Sequence, residues 1–282
     1  CALLTLCAGW CALARVGTHR PGRSSLIPWG LASAVMVGLY GAAAPATDVK
    51  GLTSQLFRPL VSTAKNLTTF AGIERETDVL LQVEDGAAFV TVEKSKLIDV
   101  LSLKVNGKVD ASTGYDMATQ RLVAHVPLLL HANPKDVLVI GLGSGVTVAS
   151  ALRHPVDHLD VAELSSGVVA ASMLFIPWNE RCLFDPRTRL TIDDGRNYVM
   201  RSGRSWDVII SEPSNPWMAG VADLFTREFF AAERSHLKPG GVLCQWVQTY
   251  EIDAATWRLI LRTFRDVFPH TVAFMVNKSD LM

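Results

Sequence analysis

The sequence predicts an α/β protein: a Rossmann-like, doubly wound sheet, preceded by a small antiparallel β-unit and an N-terminal transmembrane segment. Three observations predict it. From Asp136 to about Phe268, short β-branched runs alternate with helical stretches, the pattern of a parallel sheet with crossover helices. A glycine-rich turn, Gly141-Leu142-Gly143-Ser144-Gly145, joins the first of those runs to a helix. An acidic residue, Glu163, ends the second run, about 20 residues further on, where an acid can meet a ribose.

The elements follow in chain order. Leu26 to Ala44 carries no charge, close to the roughly 20 apolar residues that span a bilayer. Small residues such as Gly30, Ala34, Gly38 and Gly41 suit close helix packing in lipid. The block is too long and too internal for a signal peptide. Cys1 to Ala14 reads as the end of an earlier helix, so residues 1–44 are expected to be a truncated transmembrane region with a helix over 26–44. Arg15, Arg20 and Arg23 flank that helix on one side, Lys50, Arg58 and Lys65 on the other, which nearly balances the positive-inside signal. The opening at Cys1, inside an apolar run, and the end at Met282, just after an expected strand, predict a piece of a longer protein. Residues 45–75 read as a linker.

A small β-hairpin domain is expected over 76–118. Val79–Val83, Ala88–Val92 and Leu101–Val105 read as strands, with Asp85-Gly86 and Asn106-Gly107 as hairpin turn pairs. The Rossmann-like domain is expected over 119–282. Gln120–Leu130 reads as a helix and Val137–Ile140 as the first strand, and the glycine turn opens a helix to about Arg153. Leu159–Ala162 is the second strand, a helix starts near Ser166, and Leu190–Ile192 and Trp206–Ser211 are the third and fourth strands. Thr226–Leu237 reads as a helix, Val242–Val247 as the fifth strand, Ala254–Phe268 as a helix and Thr271–Met275 as a further strand.

Composition narrows the function. With 27 basic and 27 acidic residues the formal net charge is zero. No global field and no basic cluster interleaved with aromatics favours nucleic acid. The five cysteines show no CxxC or Cys/His ligand spacing, so neither a metal site nor a disulfide framework is expected.

The chemistry gathers at strand ends. Gly141 and Gly143 let the backbone turn tightly and approach a ligand. The turn lacks the third glycine of GxGxxG, which points away from a dinucleotide and toward a nucleoside cofactor of the S-adenosylmethionine kind. Glu163 is placed to accept bonds from ribose hydroxyls. Asp193, Asp194 and Gly195 end the third strand; one acid can meet an adenine amino group while the other caps the next helix. The loop Ser211-Glu212-Pro213-Ser214-Asn215-Pro216-Trp217 follows the fourth strand and is stiffened by two prolines. Glu212 at that edge can orient a cationic amine or act as a general base. Trp206, Trp246 and Trp257 read as core.

Val105 to Tyr250 resembles the spermidine/spermine synthase (polyamine aminopropyltransferase) family. The shared spacing runs from Asn106-Gly107 through Val126-Pro127-Leu128 to the glycine turn, and on to Arg227-Glu228-Phe229 and Lys238-Pro239-Gly240-Gly241. With its apolar N-terminus the chain resembles the membrane-anchored bacterial members. The resemblance implies a methyltransferase-type Rossmann-like fold. It also implies transfer of an aminopropyl group from decarboxylated S-adenosylmethionine, used as co-substrate, to an amine acceptor in polyamine biosynthesis. It assigns Glu163 to ribose and Asp194 with Gly195 to adenine. Gln120, Gly141, Gly143, Ser144 and Gly145 fall to the donor, Ser214 and Asn215 to the acceptor, and Glu212 to the base. The expected partners are a small amine, the membrane through the N-terminal helix, and a second copy in a homodimer. The expected location is a multi-pass membrane protein of the bacterial inner membrane, with its catalytic domain cytoplasmic.

The chain departs from the family at named positions. Ser144 stands where the family carries an Asp, Glu212 and Asn215 stand in place of two Asp, Thr119 replaces a Tyr and Asp110 a Gln. The acceptor is thereby left open. A methyltransferase acting with S-adenosylmethionine itself, suggested by Ser144, and a non-catalytic nucleoside- or polyamine-binding module, suggested by Asn215, are the alternative readings.

Overall fold

The computed structural model describes residues 77–282 apart from Ala219 and Lys278. The chain divides into units spanning 1–48 and 49–282. The expected helix over 26–44 and the linker over 45–75 lie outside the described residues. The membrane location is corrected: among the described residues no helix is long and apolar enough to cross a membrane. The two longest helices have 14 residues each and carry arginines, against the roughly 20 apolar residues a bilayer requires.

Four antiparallel strands come first, in the order β1 (Thr77–Glu84), β2 (Phe89–Ser95), β3 (Leu101–Val105) and β4 (Lys108–Ser112). The turns carry the expected chemistry. Asp85 Oδ1 accepts from the amides of Ala87 and Ala88. Asn106 and Gly107 have φ of 51° and 81°, the left-handed pair that a two-residue hairpin matched to strand twist requires. β4 escapes the sequence reading because Lys108 and Asp110 interrupt its apolar pattern. Both side chains turn out to line a cleft.

Helix α1 (Met117–Leu130) leads to β5 (Asp136–Ile140), and then α2 (Val146–Leu152), β6 (His158–Glu163), α3 (Ser166–Ser172) and α4 (Ile176–Asn179) follow. The chain continues through β7 (Thr188–Ile192), α5 (Gly195–Arg201), β8 (Trp206–Ser211), α6 (Arg227–Ser235), β9 (Leu237–Gln245), β10 (Val247–Gln248) and α7 (Ala254–Val267). It ends in two short strands, β11 (Met275–Val276) and β12 (Asp280–Leu281). The expected strand over Thr271–Met275 is thus reduced to its last residue, and β12, too short to show a period, pairs with both β10 and β11. Thr226, expected as the first residue of a helix, is its N-cap and accepts from the amide of Phe229.

The main sheet is parallel, in the order β7-β6-β5-β8-β9. Its central strands β5 and β8 are buried on both sides because helices cover both. Val137, Val139, Val208 and Ile210 pack into one core, and Leu138, Ile140, Ile209 and Trp206 with Phe229 into the other. Each such fully buried side chain contributes about 1.5–3 kcal/mol. Trp206 anchors the second layer: its indole N–H donates to Asp160 Oδ2 at 2.8 Å, and Arg204 holds the other oxygen at 3.0 Å. The strand order reverses between β5 and β8. In open α/β sheets a ligand crevice forms at that point, outside the carboxyl ends of the strands.

One buried group works against this core. Glu233, on α6, is fully enclosed, and neither carboxyl oxygen has a hydrogen-bond partner. The Ser211 hydroxyl faces it without bonding geometry. Burial pushes the Glu233 carboxyl well above its usual range, so it folds as the neutral acid. The unfolded chain releases that proton once the pH exceeds about 4.5, whereas the fold retains it. Stability therefore falls as pH rises from there toward the folded-state pKa. Glu233→Met is expected to raise stability at neutral pH by about 1–3 kcal/mol and to flatten this dependence. Urea unfolding at pH 5 and pH 7.5 checks it; an unchanged or lower midpoint in both buffers refutes it.

Candidate active site

The glycine turn begins where β5 ends. Gly141 has φ of +93°, and a Cβ there would lie 2.5 Å from the carbonyl oxygen of Glu212. Glycine is needed here because the loop after β8 crosses the turn backbone to backbone. The Glu212 amide donates to the Ile140 carbonyl at 2.9 Å, which fixes that crossing. The two features that the sequence shows 71 positions apart by number are thus neighbours at the sheet's reversal point.

Glu163, at the end of β6, secures the turn. Its Oε2 accepts from the Leu142 amide at 2.8 Å and its Oε1 from the Ser165 amide at 2.9 Å. Burial raises its pKa, and each carboxyl oxygen keeps a further lone pair for a ligand. Asp194 caps α5 by accepting from the Asn197 amide at 2.8 Å, and with Gly195 it lines the cleft. Asp193 does not line it. Its carboxylate pairs with Arg201 at 2.7 Å and accepts from the Asp194 amide.

The cleft encloses about 260 Å³ and reaches from Asp194 and Glu163, past the glycine turn, to Asp110, Glu212 and Trp246. Gln120 and Ser144 lie in its wall, bonded to each other at 2.5 Å through Ser144 Oγ and Gln120 Oε1. The Gln120 amide nitrogen donates to the Ser112 carbonyl and to Asp116. Ser144 therefore uses the space and the partner that a longer acidic side chain would contest. Ser214 Oγ donates to Asp110 Oδ1 at 2.8 Å, and Lys108 Nζ reaches the same oxygen at 2.6 Å. Asn215 is fully buried, does not line the cleft, and its amide has no partner.

Glu212 is the pivot of the site. It is half-buried and lines the cleft, and its Oε2 lies 2.6 Å from Thr147 Oγ1. Burial raises its pKa to about 8, and the negative charges of Asp116, Asp280 and Asp110 add to the shift. Those acids arrive from the turn before α1, from β12 and from β4. Four carboxyl groups line the cleft, those of Asp110, Glu163, Asp194 and Glu212, against the single basic side chain of Lys108 among the described residues. Such a surface concentrates cations. Sequence reasoning missed Thr147, Lys108, Asp116 and Asp280 as parts of this site; Trp246, in the core as expected, also borders the cleft. Asp110 had one signal, its place where the resembled family carries a Gln.

A parallel sheet, a glycine turn after its first strand, an acid ending the second and a carboxyl group at the reversal point define a Rossmann-like domain of the methyltransferase type. The family described as "Spermine/spermidine synthase domain" matches residues 116–278. The chain belongs to the spermine/spermidine synthase family. It is 30% identical over 176 residues to a polyamine aminopropyltransferase of Thermoanaerobacter sp. (strain X514), covering 62% of this chain and 63% of that protein. It is 30% identical over 189 residues to a spermidine synthase of Dictyostelium discoideum, covering 63% and 66%. A crystal structure of spermidine synthase in complex with the transition state analogue AdoDATO superposes with a TM-score of 0.65 at 26% identity, covering 72% of each chain. The chain spans less than two thirds of the length of these curated relatives.

Proposed function

We propose that this chain transfers an aminopropyl group from decarboxylated S-adenosylmethionine to a small amine, a step of polyamine biosynthesis. The observation that carries the reading is the position of the Glu212 carboxyl, which faces a nucleoside-type cleft at the reversal point of the sheet. Family membership supports it, as does the likeness to a spermidine synthase that binds a transition state analogue.

The chemistry is a displacement. The acceptor nitrogen attacks the carbon beside the sulfonium, a C–N bond forms, the C–S bond breaks, and its electron pair leaves with sulfur as methylthioadenosine. The attacking nitrogen must lose a proton, and Glu212 is the group to take it. Glu163 holds the ribose while Asp194 and Gly195 meet the adenine. The glycine turn with Ser144 and Gln120 walls the donor tail, and Ser214 bonds Asp110 at the acceptor end. Asn215, enclosed beneath the loop, shapes that end from behind. Two cationic substrates bring positive charge beside Glu212, which favours its ionised form. The cleft thereby generates its base when it fills.

The test is direct. Purified protein with decarboxylated S-adenosylmethionine and a panel of diamines and polyamines is expected to release methylthioadenosine together with an aminopropylated amine. Intact folding without methylthioadenosine from any amine overturns the proposal. Formation of S-adenosylhomocysteine and a methylated amine from S-adenosylmethionine would replace it with methyl transfer.

A further inference from the structure

Thr147 sits on α2, is buried, and touches two oxygen acceptors. Its Oγ1 lies 2.9 Å from the Gln120 carbonyl oxygen and 2.6 Å from Glu212 Oε2. A hydroxyl has one proton to give. A carbonyl oxygen can only accept. Both contacts are therefore satisfied at once only when Glu212 is protonated: Glu212 donates to Thr147, and Thr147 donates to Gln120. When Glu212 ionises, the Thr147 proton must turn to the carboxylate.

The surroundings make that hydroxyl matter. The charges of Asp110 on β4, Asp116 before α1 and Asp280 on β12 all act on Glu212, and its charge acts in turn on the buried thiol of Cys244 on β9. Among the described residues the one cation in the cleft wall, Lys108, is held by Asp110 at 2.6 Å. Among the described residues no other group donates to the Glu212 carboxyl, and its Oε1 has no hydrogen-bond partner.

We infer that Thr147 is a positioning residue for Glu212: its hydroxyl fixes one carboxyl oxygen, leaves Oε1 to take the proton from the incoming amine, and stabilises the carboxylate by turning its own proton onto it. In the transfer step the acceptor's proton passes to Oε1 while Thr147 bonds Oε2, and no other reactant is needed. The inference rests on the aminopropyl-transfer reading for its role in rate, and on geometry alone for its effect on Glu212.

Two measurements separate those bases. The first is the carboxyl 13C titration of Glu212 in the ligand-free protein, identified by its loss in Glu212→Gln. Thr147→Val keeps the shape but removes the donor, so Glu212 is expected to titrate about one pH unit higher, and Thr147→Ser to restore the original value. The second is the pH profile of kcat/KM for transfer. Its limb is expected to move up by the same amount in Thr147→Val, a roughly tenfold loss at pH 7 with the high-pH plateau retained. A rate loss equal at every pH with an unmoved Glu212 titration overturns the inference and makes Thr147 a packing residue. If the parent chain transfers nothing, the functional proposal fails and the titration still decides the role of Thr147. A Thr147→Val chain that does not fold leaves Thr147→Cys, a weaker donor, to give a shift in the same direction; no shift there also overturns it.

Discussion

Glu212→Gln is expected to lower kcat for aminopropyl transfer by about 10²–10⁴-fold, the usual worth of a positioned general base, while donor binding changes little. The reasoning is geometric. A glutamine amide can donate to Thr147 Oγ1 as the protonated acid does, so the chain of bonds to the Gln120 carbonyl survives. What disappears is the ability to accept a proton. The parent protein should show kcat/KM rising with pH through about 8 in the free enzyme, because Glu212 must ionise before it can act. The Gln variant should lose that limb. Stability moves the other way. The folded-state pKa is raised above the unfolded value, so Glu212 costs the parent stability as pH rises from about 4.5 to about 8, and Gln removes that cost. Rates across pH 6–9 with calorimetric donor binding in parallel provide the check. A Gln variant within threefold of the parent at all pH values excludes Glu212 as the base.

Gly141→Ala should be the most damaging small substitution in the domain. Its φ of +93° is costly for any residue with a Cβ. The new atom would also meet the Glu212 carbonyl oxygen at 2.5 Å, a backbone atom with no rotamer in which to escape. Either the turn or the Glu212 loop has to move. We expect a loss of about 3 kcal/mol or more in stability, and at least about 10²-fold in transfer, since displacement of a reacting group by about 1 Å can cost that much. Gly143→Ala is the matched control. Its φ is +52°, and the nearest atom to a new Cβ is the Ala111 methyl at 3.8 Å. About 1 kcal/mol and a small change in rate are expected there. Urea unfolding and transfer rates on both variants decide the matter; equal effects would mean that the crossing of loop and turn does not constrain the site.

Much of the main sheet was legible from local pattern. Trp206–Ser211 has the bounds expected of it, and the first strand gains only Asp136. A parallel strand buried on both faces is a run of branched apolar residues, and such a run announces itself. Where a strand borders the cleft the pattern fails. Lys108 and Asp110 break β4 because their side chains serve the site rather than the core. Trp246 reads as core and packs there, but only its neighbours reveal that it also borders the cleft. The Asn215 amide, read as an acceptor ligand, is enclosed instead, since its neighbouring prolines say how stiff the loop is but not which way each side chain turns.

By itself the sequence determined the α/β class, the glycine turn, Glu163 and Asp194 at strand ends, and Glu212 in its proline-stiffened loop, because each depends on a few adjacent residues. Only the tertiary structure decided what surrounds Glu212. Thr147 lies 65 positions away and Asp280 another 68 in the opposite direction along the chain, and their approach follows from the strand order β7-β6-β5-β8-β9 and the pairing of β12 with β10. The protonation of a carboxyl group is set by burial and by charges within a few ångströms. Those distances belong to the packed sheet and not to any stretch of sequence.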